Sequence, residues 1–177
     1  GRLGLAHLPN CSIGVQARHD DSSLHDGDAV VVACHGRIYD PEVFDAAVQG
    51  PSAAGRLARY WADRGPDCLR QLDGDFSAFV YDRRTSIGYL CVSLSMARPL
   101  YFAKRPGLVV VATEVRQVAA GAETDQRLDL ERVVESLIAG GPVSAPHRTE
   151  YRGIDRLLAP NLYRVETNDP DLRVDCA

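Results

Sequence analysis

The sequence predicts a single α+β domain, in which β-forming runs are combined with a few segments of helical periodicity. Four β-type runs follow one another between residues 75 and 112, with short polar breaks between them. Apolar residues at helical spacing mark two further segments, residues 53–63 and 130–139. The 177 residues suffice for one domain with a sizeable core. In total the pattern predicts roughly seven strands and four or five helices, a consistent α+β inventory.

The four central runs predict an antiparallel meander whose inner strands are covered on both faces. The first run, Asp75–Tyr81, is mainly aromatic and β-forming, and the polar break after it has hairpin length. Ile87–Ser93 resumes the strand pattern. A third strand, Arg98–Phe102, tolerates Pro99 near its start, and Leu108–Ala112 is a fourth strand of aliphatic residues.

The segments before the meander predict shorter strands and one polar loop. Leu5–Ala17 alternates loosely and indicates one or two short strands. The histidines and acidic residues of segment 19–28 lack a fixed ligand spacing, so a solvated loop is favoured over a metal site. Ala29–Cys34 predicts a strand that ends at His35-Gly36-Arg37, where glycine permits a close turn. Neighbours in a strand point to opposite faces, so Cys34 and His35 are not expected to pair, and a pocket-lining His35 is favoured over a catalytic one.

Helix starts are predicted from capping residues that precede apolar positions at helical spacing. Ser52 precedes the helix Ala53–Asp63, and Asp129 precedes the helix Leu130–Ala139. The second of these carries an apolar stripe of Leu130, Val133, Val134, Leu137 and Ile138. Shorter helices are predicted after Asp40 and Asp67 and at Glu114–Ala120, and the buried face of the first long helix is predicted to hold Leu57, Tyr60 and Trp61.

Composition excludes several classes of protein. The net charge of −4 argues against a nucleic-acid-binding face, which requires a basic surface. No apolar run approaches the ~20 residues of a membrane helix, and the first residues resemble neither a signal peptide nor a transit peptide. Five cysteines without metal-ligand spacing favour a reducing, cytoplasmic setting. Because Met96 is the only methionine, we expect that a segment upstream of Gly1 has been removed or is not included.

Three motifs in order carry a resemblance to one family. They are Leu72–Phe79 (LDGDFSAF), Arg98–Tyr101 (RPLY) and Ala112–Val115 (ATEV), with Gly36–Tyr39 (GRIY) upstream. From roughly Leu5 to Val165 the chain resembles the glutaminase-type N-terminal domain of the asparagine synthetases, the class II glutamine amidotransferases. It is similar in this respect to the related β-lactam synthetases and lasso-peptide cyclases.

The resemblance implies a fold and a division of the chain. The fold is an Ntn-hydrolase-like αββα sandwich, with two stacked antiparallel sheets flanked by helices, here lacking its first strands. Residues 1–166 would form the amidotransferase-like domain. The turn at Gly153–Pro160 resembles the one that precedes the last strand of the family, Leu162–Glu166. Residues 167–177 would be a linker or the start of a following synthetase domain.

The family hydrolyses glutamine with an N-terminal cysteine, whose own α-amine acts as base. An Asn and the adjacent Gly stabilise the oxyanion, while an Arg and an Asp bind the carboxylate and the amine of glutamine. When these roles are carried over onto this sequence, the position of the catalytic cysteine is occupied by Gly1. No Arg stands near Pro9-Asn10, where the carboxylate-binding residue is expected. At the remaining positions His35 replaces the oxyanion Asn, Arg37 replaces an acid and Ala53 replaces the amine-binding Asp.

The resemblance therefore implies a degenerate glutamine pocket with no catalytic residue. Its positions are His35, Gly36, Arg37, Ser52 and Ala53. The run Val92–Met96 also departs from the Arg-Asp-x-x-Gly run usual in the family before its Pro-Leu-Tyr strand.

Three functional hypotheses follow from the resemblance. The favoured one is a catalytically inactive amidotransferase-like domain of an ATP-dependent amide-bond-forming ligase in specialised metabolism. Its synthetase domain, in the same protein or on a second chain, would bind ATP and Mg, and the substrate would be a peptide or a small carboxylic acid. The present chain has no Ser-Gly-Gly-x-Asp-Ser pyrophosphate loop, so we expect it to hold no cofactor and no metal. The alternatives are a stand-alone binding or scaffold module with an Ntn-type fold, and a fragment of a glutamine-dependent asparagine synthetase.

Overall fold

The structure, a computed structural model, describes residues 2–8, 11–17, 22–39, 52–124, 127–140, 145–159, 161–166 and 174–176. Within these residues the chain forms helices and antiparallel sheets, so the predicted α+β class is confirmed. The helices are α1 Ala53–Arg64, α2 Cys68–Gln71, α3 Val115–Gly121 and α4 Leu130–Ala139. The strands are β1 Arg2–Leu8, β2 Cys11–Ala17, β3 Ser22–Asp26, β4 Val30–Ile38, β5 Gly74–Asp82, β6 Ile87–Val92, β7 Tyr101–Arg105, β8 Leu108–Ala112, β9 Asp155–Arg156, β10 Leu162–Glu166 and β11 Val174–Cys176.

Contacts divide the chain into two compact units, residues 1–98 with 159–177, and residues 99–158. The first unit contains a six-stranded antiparallel sheet in the order β11-β10-β6-β5-β4-β3. The predicted strands at Leu5–Ala17 form the antiparallel hairpin of β1 and β2. The helices α1 and α2 belong to the same unit and supply its main core.

One face of the six-stranded sheet, here called the helix face, is covered by α1 and α2. Ser52 begins α1 as predicted, and its Oγ accepts a hydrogen bond from the Gly55 N–H at 3.4 Å. Leu57 and Trp61 of α1 share one buried cluster with Cys34 of β4, and the Trp61 ring centroid lies 5.0 Å from that of Tyr89. The predicted buried side of this helix is therefore confirmed for Leu57 and Trp61, whereas Tyr60 is only partly buried against the same cluster.

The opposite face of the sheet carries a second, smaller apolar cluster. Val31 of β4 and Tyr81 of β5 are register partners, so their side chains lie on the same face. Leu8 and Ile13 of the β1–β2 hairpin pack against them. Both faces of β5 are therefore buried over most of its length, as predicted for a central strand.

The second unit contains a three-stranded antiparallel sheet in the order β8-β7-β9. Helix α3 packs on β7 and β8, where Val118 and Ala103 share a buried cluster with Ile154. Helix α4 begins and ends where the sequence predicts, with Gly140 in the left-handed conformation at its C-terminus. Its predicted capping residue, Asp129, makes no capping bond, because its carboxylate instead accepts a hydrogen bond from Arg148.

The predicted four-strand meander is wrong, because its two halves belong to different sheets. After β6 the chain turns at Ser93–Met96, where Met96 N–H donates to the Ser93 carbonyl and Met96 has a φ of 51°. The free edge of β6 pairs with β10, which comes from the far end of the chain. Strand β7 starts only at Tyr101, after Pro99, and pairs with β8 and β9.

Three further expectations need correction or lie outside the described residues. Part of the segment predicted as a polar loop, Ser22–Asp26, is the edge strand β3, which pairs with β4 and whose residues are mostly half-buried. Val174–Cys176, within the predicted linker, pairs with β10, although the division at residue 166 stays a prediction. The short helix predicted after Asp40 lies outside the described residues.

The strand β4 does not end at His35-Gly36-Arg37, as predicted, but continues to Ile38. Gly36 makes this possible with a φ of +102°, a conformation that residues with a side chain rarely adopt. A Cβ at this position would lie 2.1 Å from the Asp75 carbonyl oxygen. The glycine thus lets β5 pair with β4 at a distance that no other residue would permit.

We predict that Gly36→Ala lowers the free energy of unfolding by at least about 2 kcal/mol, because backbone strain and a clash with Asp75 act together. Gly107→Ala is the matched control, since Gly107 also has a positive φ, of +71°, but no atom within 4 Å of the added Cβ. It should cost only about 1 kcal/mol. Urea unfolding followed by circular dichroism measures both variants, and equal losses would contradict a special role of the Gly36 contact.

Candidate functional site

The end of β4 carries the polar side chains that form the candidate site. His35 pairs in register with Ser22 of β3 and with Ser77 of β5, so the three side chains lie on the face opposite the helix face. Cys34, the preceding residue, is buried among the residues under α1. The prediction that Cys34 and His35 point to opposite faces is confirmed, and the two do not form a catalytic pair.

Both ring nitrogens of His35 are hydrogen-bonded. Nδ1 lies 2.6 Å from Ser22 Oγ, and Nε2 lies 3.3 Å from Nη1 of Arg98. A guanidinium group can only donate, so Nε2 accepts and the ring proton resides on Nδ1, facing Ser22. This arrangement leaves Nε2 occupied by a cation and makes His35 unsuited to abstract a proton from a substrate.

Arg98 reaches His35 because Gly36 has no side chain. The Cγ of Arg98 lies 3.0 Å from the position that a Cβ of Gly36 would occupy. Any larger residue at position 36 would therefore displace the stem of the arginine as well as strand β5. Arg98 belongs to the RPLY motif, and its contact with His35 joins this motif to the end of β4.

A carboxylate, that of Asp75, extends the cluster through its contacts with Tyr39, Ser95 and Arg98. The Tyr39 hydroxyl donates to Asp75 Oδ2 at 2.7 Å. The pKa of Asp75 is lowered below its ordinary value of 3.8, mainly by the hydrogen bond from Ser95, then by the one from Tyr39, and also by the charge of Arg98. Burial acts in the opposite direction but is smaller than either hydrogen bond. The bond to Asp75 in turn raises the pKa of Tyr39, which the nearby Arg37 opposes.

These contacts define what we call the His35 cluster. It consists of Ser22, His35, Tyr39, Asp75, Ser95 and Arg98. Beside it lies the buried hydroxyl of Ser77, for which the part of the chain that the structure describes offers no hydrogen-bond partner. A buried hydroxyl of this kind costs about 1–3 kcal/mol, so it marks a point where a water or ligand atom would be stabilised.

The predicted pocket positions Ser52 and Ala53 lie at the start of α1, on the helix face. The next backbone N–H, that of Ala54, donates to Ser23 Oγ at 2.9 Å. Ser22 contacts His35 on one face of the sheet, and the adjacent Ser23 contacts the start of α1 on the other face. The edge strand β3 therefore links the predicted positions in β4 with those at the start of α1. Arg37 is exposed on the strand next to Gly36. The assignment of these positions to one former pocket stays a prediction.

The described cysteine thiols are poor nucleophiles. Burial raises the pKa of Cys34 and of Cys91 to about 12 and that of Cys68 to about 11. All three lie in the core under α1, on the face away from His35. Cys11 packs beside the Leu8–Ile13 cluster, and burial raises its pKa too.

Several members of the cluster were missed by the sequence reasoning. The sequence pattern places Ser22 in a loop, and it places Asp75 and Arg98 in strands and family motifs without indicating a contact with a site. A lone leucine, Leu24, between polar residues is the available sequence signal for an edge strand, because one apolar residue flanked by polar ones fits the alternation of a strand. Nothing in the local pattern indicates that Arg98 would contact His35, since 63 residues separate them.

Comparison with known proteins assigns the chain to a family. Residues 6–174 match the model of the glutamine amidotransferase domain, so the chain belongs to the glutamine amidotransferase domain family. The antiparallel sheets and the few helices fit the N-terminal-nucleophile type of fold expected for such a domain. A search of curated protein sequences gave no match.

The described residues show neither a membrane-crossing helix nor a grouped set of metal ligands. Among the described helices, none has the length and apolar character that crossing a membrane requires. In the same residues, no three His, Cys, Asp or Glu side chains are grouped so that they could hold a metal ion. His19, one of the two histidines considered for a metal site, lies outside the described residues.

We predict that Asp75 titrates below its ordinary pKa of 3.8 and that Tyr39→Phe moves its pKa upward, because the substitution removes a donor to the carboxylate. Carbon-detected NMR of the carboxyl carbon measures the titration. Tyr60→Phe is the matched control, since the Tyr60 hydroxyl contacts Arg64 instead, and it should leave the pKa of Asp75 unchanged.

The same groups set the sign of a pH effect on stability. A lowered pKa of Asp75 stabilises the fold above pH 3.8, and this contribution is lost as the pH falls through the folded-state pKa. A raised pKa of Tyr39 stabilises the fold below pH 10.0, and the contribution is lost as the pH rises through its folded-state pKa. An increase in the stability of the wild type, relative to Tyr39→Phe, on acidification below pH 3.8 would contradict this assignment.

We predict that Cys34, Cys68 and Cys91 resist alkylation by iodoacetamide at pH 8 in the folded protein. A thiol with a pKa of about 12 is ionised in about one molecule in ten thousand at this pH, against about a tenth at the ordinary value of 9.0. Mass spectrometry of tryptic peptides measures the labelling, with urea-unfolded protein as the control. Fast labelling of Cys34 in the folded protein would show that its thiol is accessible and ionised.

Proposed function

We propose that this glutamine amidotransferase-like domain hydrolyses no glutamine and serves an ATP-dependent amide-bond-forming ligase of the asparagine synthetase superfamily. The parent enzyme would resemble the β-lactam synthetases or the lasso-peptide macrolactam cyclases of specialised metabolism. The observation that carries the proposal is the bonding of His35. At the position where the family resemblance places the oxyanion-stabilising Asn, His35 contacts Ser22 and Arg98 through its two nitrogens.

The geometry of the oxyanion position supports loss of the hydrolytic reaction. An asparagine amide would present an N–H donor to a developing oxyanion. His35 instead directs its one N–H, on Nδ1, toward Ser22, and its Nε2 is an acceptor already bound by Arg98. With one ring nitrogen directed at Ser22 and the other at Arg98, His35 presents no N–H to an oxyanion, which supports loss of the donor that the asparagine would supply.

The charges around the site support the same conclusion. The family binds the α-amine of glutamine with an aspartate, and the residue at that position is Ala53, which has no charge. Arg37, in place of an acid, is exposed beside Gly36. A site that has lost two acids and gained one cation no longer favours the ammonium group of an amino acid.

The thiols give a third line of support. A hydrolytic cysteine needs an accessible thiol with a base beside it. Within the described residues, Cys34, Cys68 and Cys91 lie on the helix face with their pKa values raised by burial. None of these three is therefore suited to attack an amide.

The remaining parts of the proposal concern partners and location. The synthetase domain would lie in the same protein or on a second chain and would bind ATP and Mg, with a peptide or a small carboxylic acid as substrate. Residues 1–166 would form the amidotransferase-like domain, and the enzyme would be cytoplasmic. The domain would then act by packing on the synthetase domain and shaping its substrate site.

We predict that the chain releases no ammonia from glutamine above the rate of a buffer blank. A coupled glutamate dehydrogenase assay at 1–10 mM glutamine, chosen to exceed the usual range of KM values of about 1 μM–1 mM, measures the release. A glutaminase of the same fold serves as the positive control. Enzymatic release that is abolished by alkylation of a cysteine would overturn the proposal and favour a glutamine-dependent asparagine synthetase.

The ligase part of the proposal has its own test. Native mass spectrometry of the gene product from its host would show a larger polypeptide or a stable complex, and that species should catalyse ATP–pyrophosphate exchange with a carboxylic acid substrate. A lone chain near 19.3 kDa without exchange activity would instead favour the stand-alone binding module.

A further inference from the structure

The buried hydroxyl of Ser77 has no hydrogen-bond partner within the part of the chain that the structure describes. Ser77 lies in β5, on the face opposite the helix face, and is 2% exposed. The large majority of buried polar side-chain atoms in proteins are hydrogen-bonded, because an unbonded one opposes folding. An exception in the middle of a sheet therefore indicates a partner outside the polypeptide chain.

Neither register partner of Ser77 satisfies its hydroxyl. On β6 the partner is Val92, whose side chain has no polar atom. On β4 the partner is His35, whose Nδ1 lies 2.6 Å from Ser22 Oγ and whose Nε2 lies 3.3 Å from Arg98. Ser22 belongs to β3, on the far side of β4 from Ser77, so its bond with His35 draws the ring away from Ser77.

The Asp75 carboxylate lies on the same face as Ser77. The two residues are two positions apart in β5, so their side chains project to the same side, with Cα atoms about 6.6 Å apart. Two hydrogen bonds through one water span about 5.6 Å between oxygens, since each is about 2.8 Å long. One water can therefore join two side chains that form no direct bond.

Asp75 can accept a further hydrogen bond. An ionised carboxylate has about four lone-pair sites, and the side-chain bonds from Tyr39 and Ser95 use two of them. Asp75 is half-buried near the start of β5, so a water can approach from its side. A larger ligand would have to displace a strand to reach the buried Ser77 hydroxyl, so water is the molecule that fits.

We propose that Ser77 and Asp75 together bind one internal water molecule. The Ser77 hydroxyl donates to the water oxygen, and the water donates to the Asp75 carboxylate, which can only accept. A hydrogen bond to an ionised group is stronger than one between neutral groups, so the carboxylate holds the water firmly. The water thereby joins Ser77 to the His35 cluster. This site is independent of the function proposed above, since it involves no reaction.

A crystal structure that resolves ordered waters tests the site directly. It should show a water within about 3.2 Å of both Ser77 Oγ and an Asp75 carboxylate oxygen. Ser77→Ala should lose this water. Ser93→Ala is the matched control and should keep it, since Ser93 is also buried, at 4% exposed, but its Oγ accepts from the Phe76 N–H at 3.1 Å.

The sign of a stability change gives a second test. With the water bound, Ser77→Ala removes a hydrogen bond and should lower the equilibrium constant for folding about 2- to 10-fold. Without it, the same substitution would remove a buried unbonded group and raise this constant. Urea unfolding followed by circular dichroism measures the change, and the loss of one oxygen atom leaves the fold in place.

The part played by Asp75 has its own test, a double-mutant cycle. In an Asp75→Ala background the bridge is already broken, so Ser77→Ala should lower the folding constant by a smaller factor than in the wild type. Asp82→Ala is the matched control. Asp82 stands five residues from Ser77 in the same strand, about 16 Å away, so the factors for these two substitutions should simply multiply.

Three outcomes would overturn the proposal. One is a crystal structure with no water at Ser77 Oγ. Another is a Ser77→Ala variant that is more stable than the wild type, which would show that the hydroxyl has no partner. The third is a pair of independent effects for Ser77→Ala and Asp75→Ala, which would exclude Asp75 as the second partner of the water.

Discussion

The pairing of β4 with β5 is the constraint on which the rest of the first unit depends. Nine residue pairs, from Val30 with Asp82 to Ile38 with Gly74, fix the register. Because side chains alternate along a strand, this register determines the face of every residue in both strands. It places Cys34 in the core under α1 and His35 on the opposite face, where Ser22 and Arg98 contact it. Gly36 keeps the pairing intact beyond His35 because it permits a positive φ beside the Asp75 carbonyl.

The consequence for function is a glutamine amidotransferase-like domain whose strand end carries a closed polar network. Each ring nitrogen of His35 has a partner, and Asp75 is held by Ser95, Tyr39 and the charge of Arg98. Networks of this kind rigidify a site, since every member fixes the orientation of the next. The register of β4 with β5 and the glycine at position 36 hold these polar residues close enough to bond to each other.

Helix α4 shows how a local pattern and a tertiary arrangement can differ. Its apolar stripe is the signature of a helix that buries one side, and in the described chain four members of that stripe face solvent. The buried side is instead polar, with Arg132 and Glu135 paired beneath the helix. The orientation of α4 is specified by its contacts with residues outside the helix, since Ser136 donates to Glu150 and Asp129 accepts from Arg148, and this orientation leaves the apolar side exposed.

Much of the fold and part of the site could be predicted from the sequence, for reasons that particular residues illustrate. Helix α1, the β5–β6 hairpin and the limits of α4 were confirmed, because capping residues, glycines and apolar periodicity act over a few residues. The opposite orientation of Cys34 and His35 followed from strand geometry alone. The meander was wrong, because the sequence does not record that β10 would occupy the edge of β6.

By itself, then, the sequence determined the α+β class of this protein and the elements whose signals are local, such as α1, α4 and the β5–β6 hairpin. The replacement of glutaminase residues at the candidate site stays a prediction. Local backbone preferences and side-chain chemistry are properties of short segments, so they can be read without the fold. Only the tertiary structure decided that Ser22 and Arg98 would hold His35, that β6 and β7 would join different sheets, and that α4 would expose its apolar side. These outcomes depend on contacts between residues far apart in the chain, where burial and hydrogen bonding outweigh local preference.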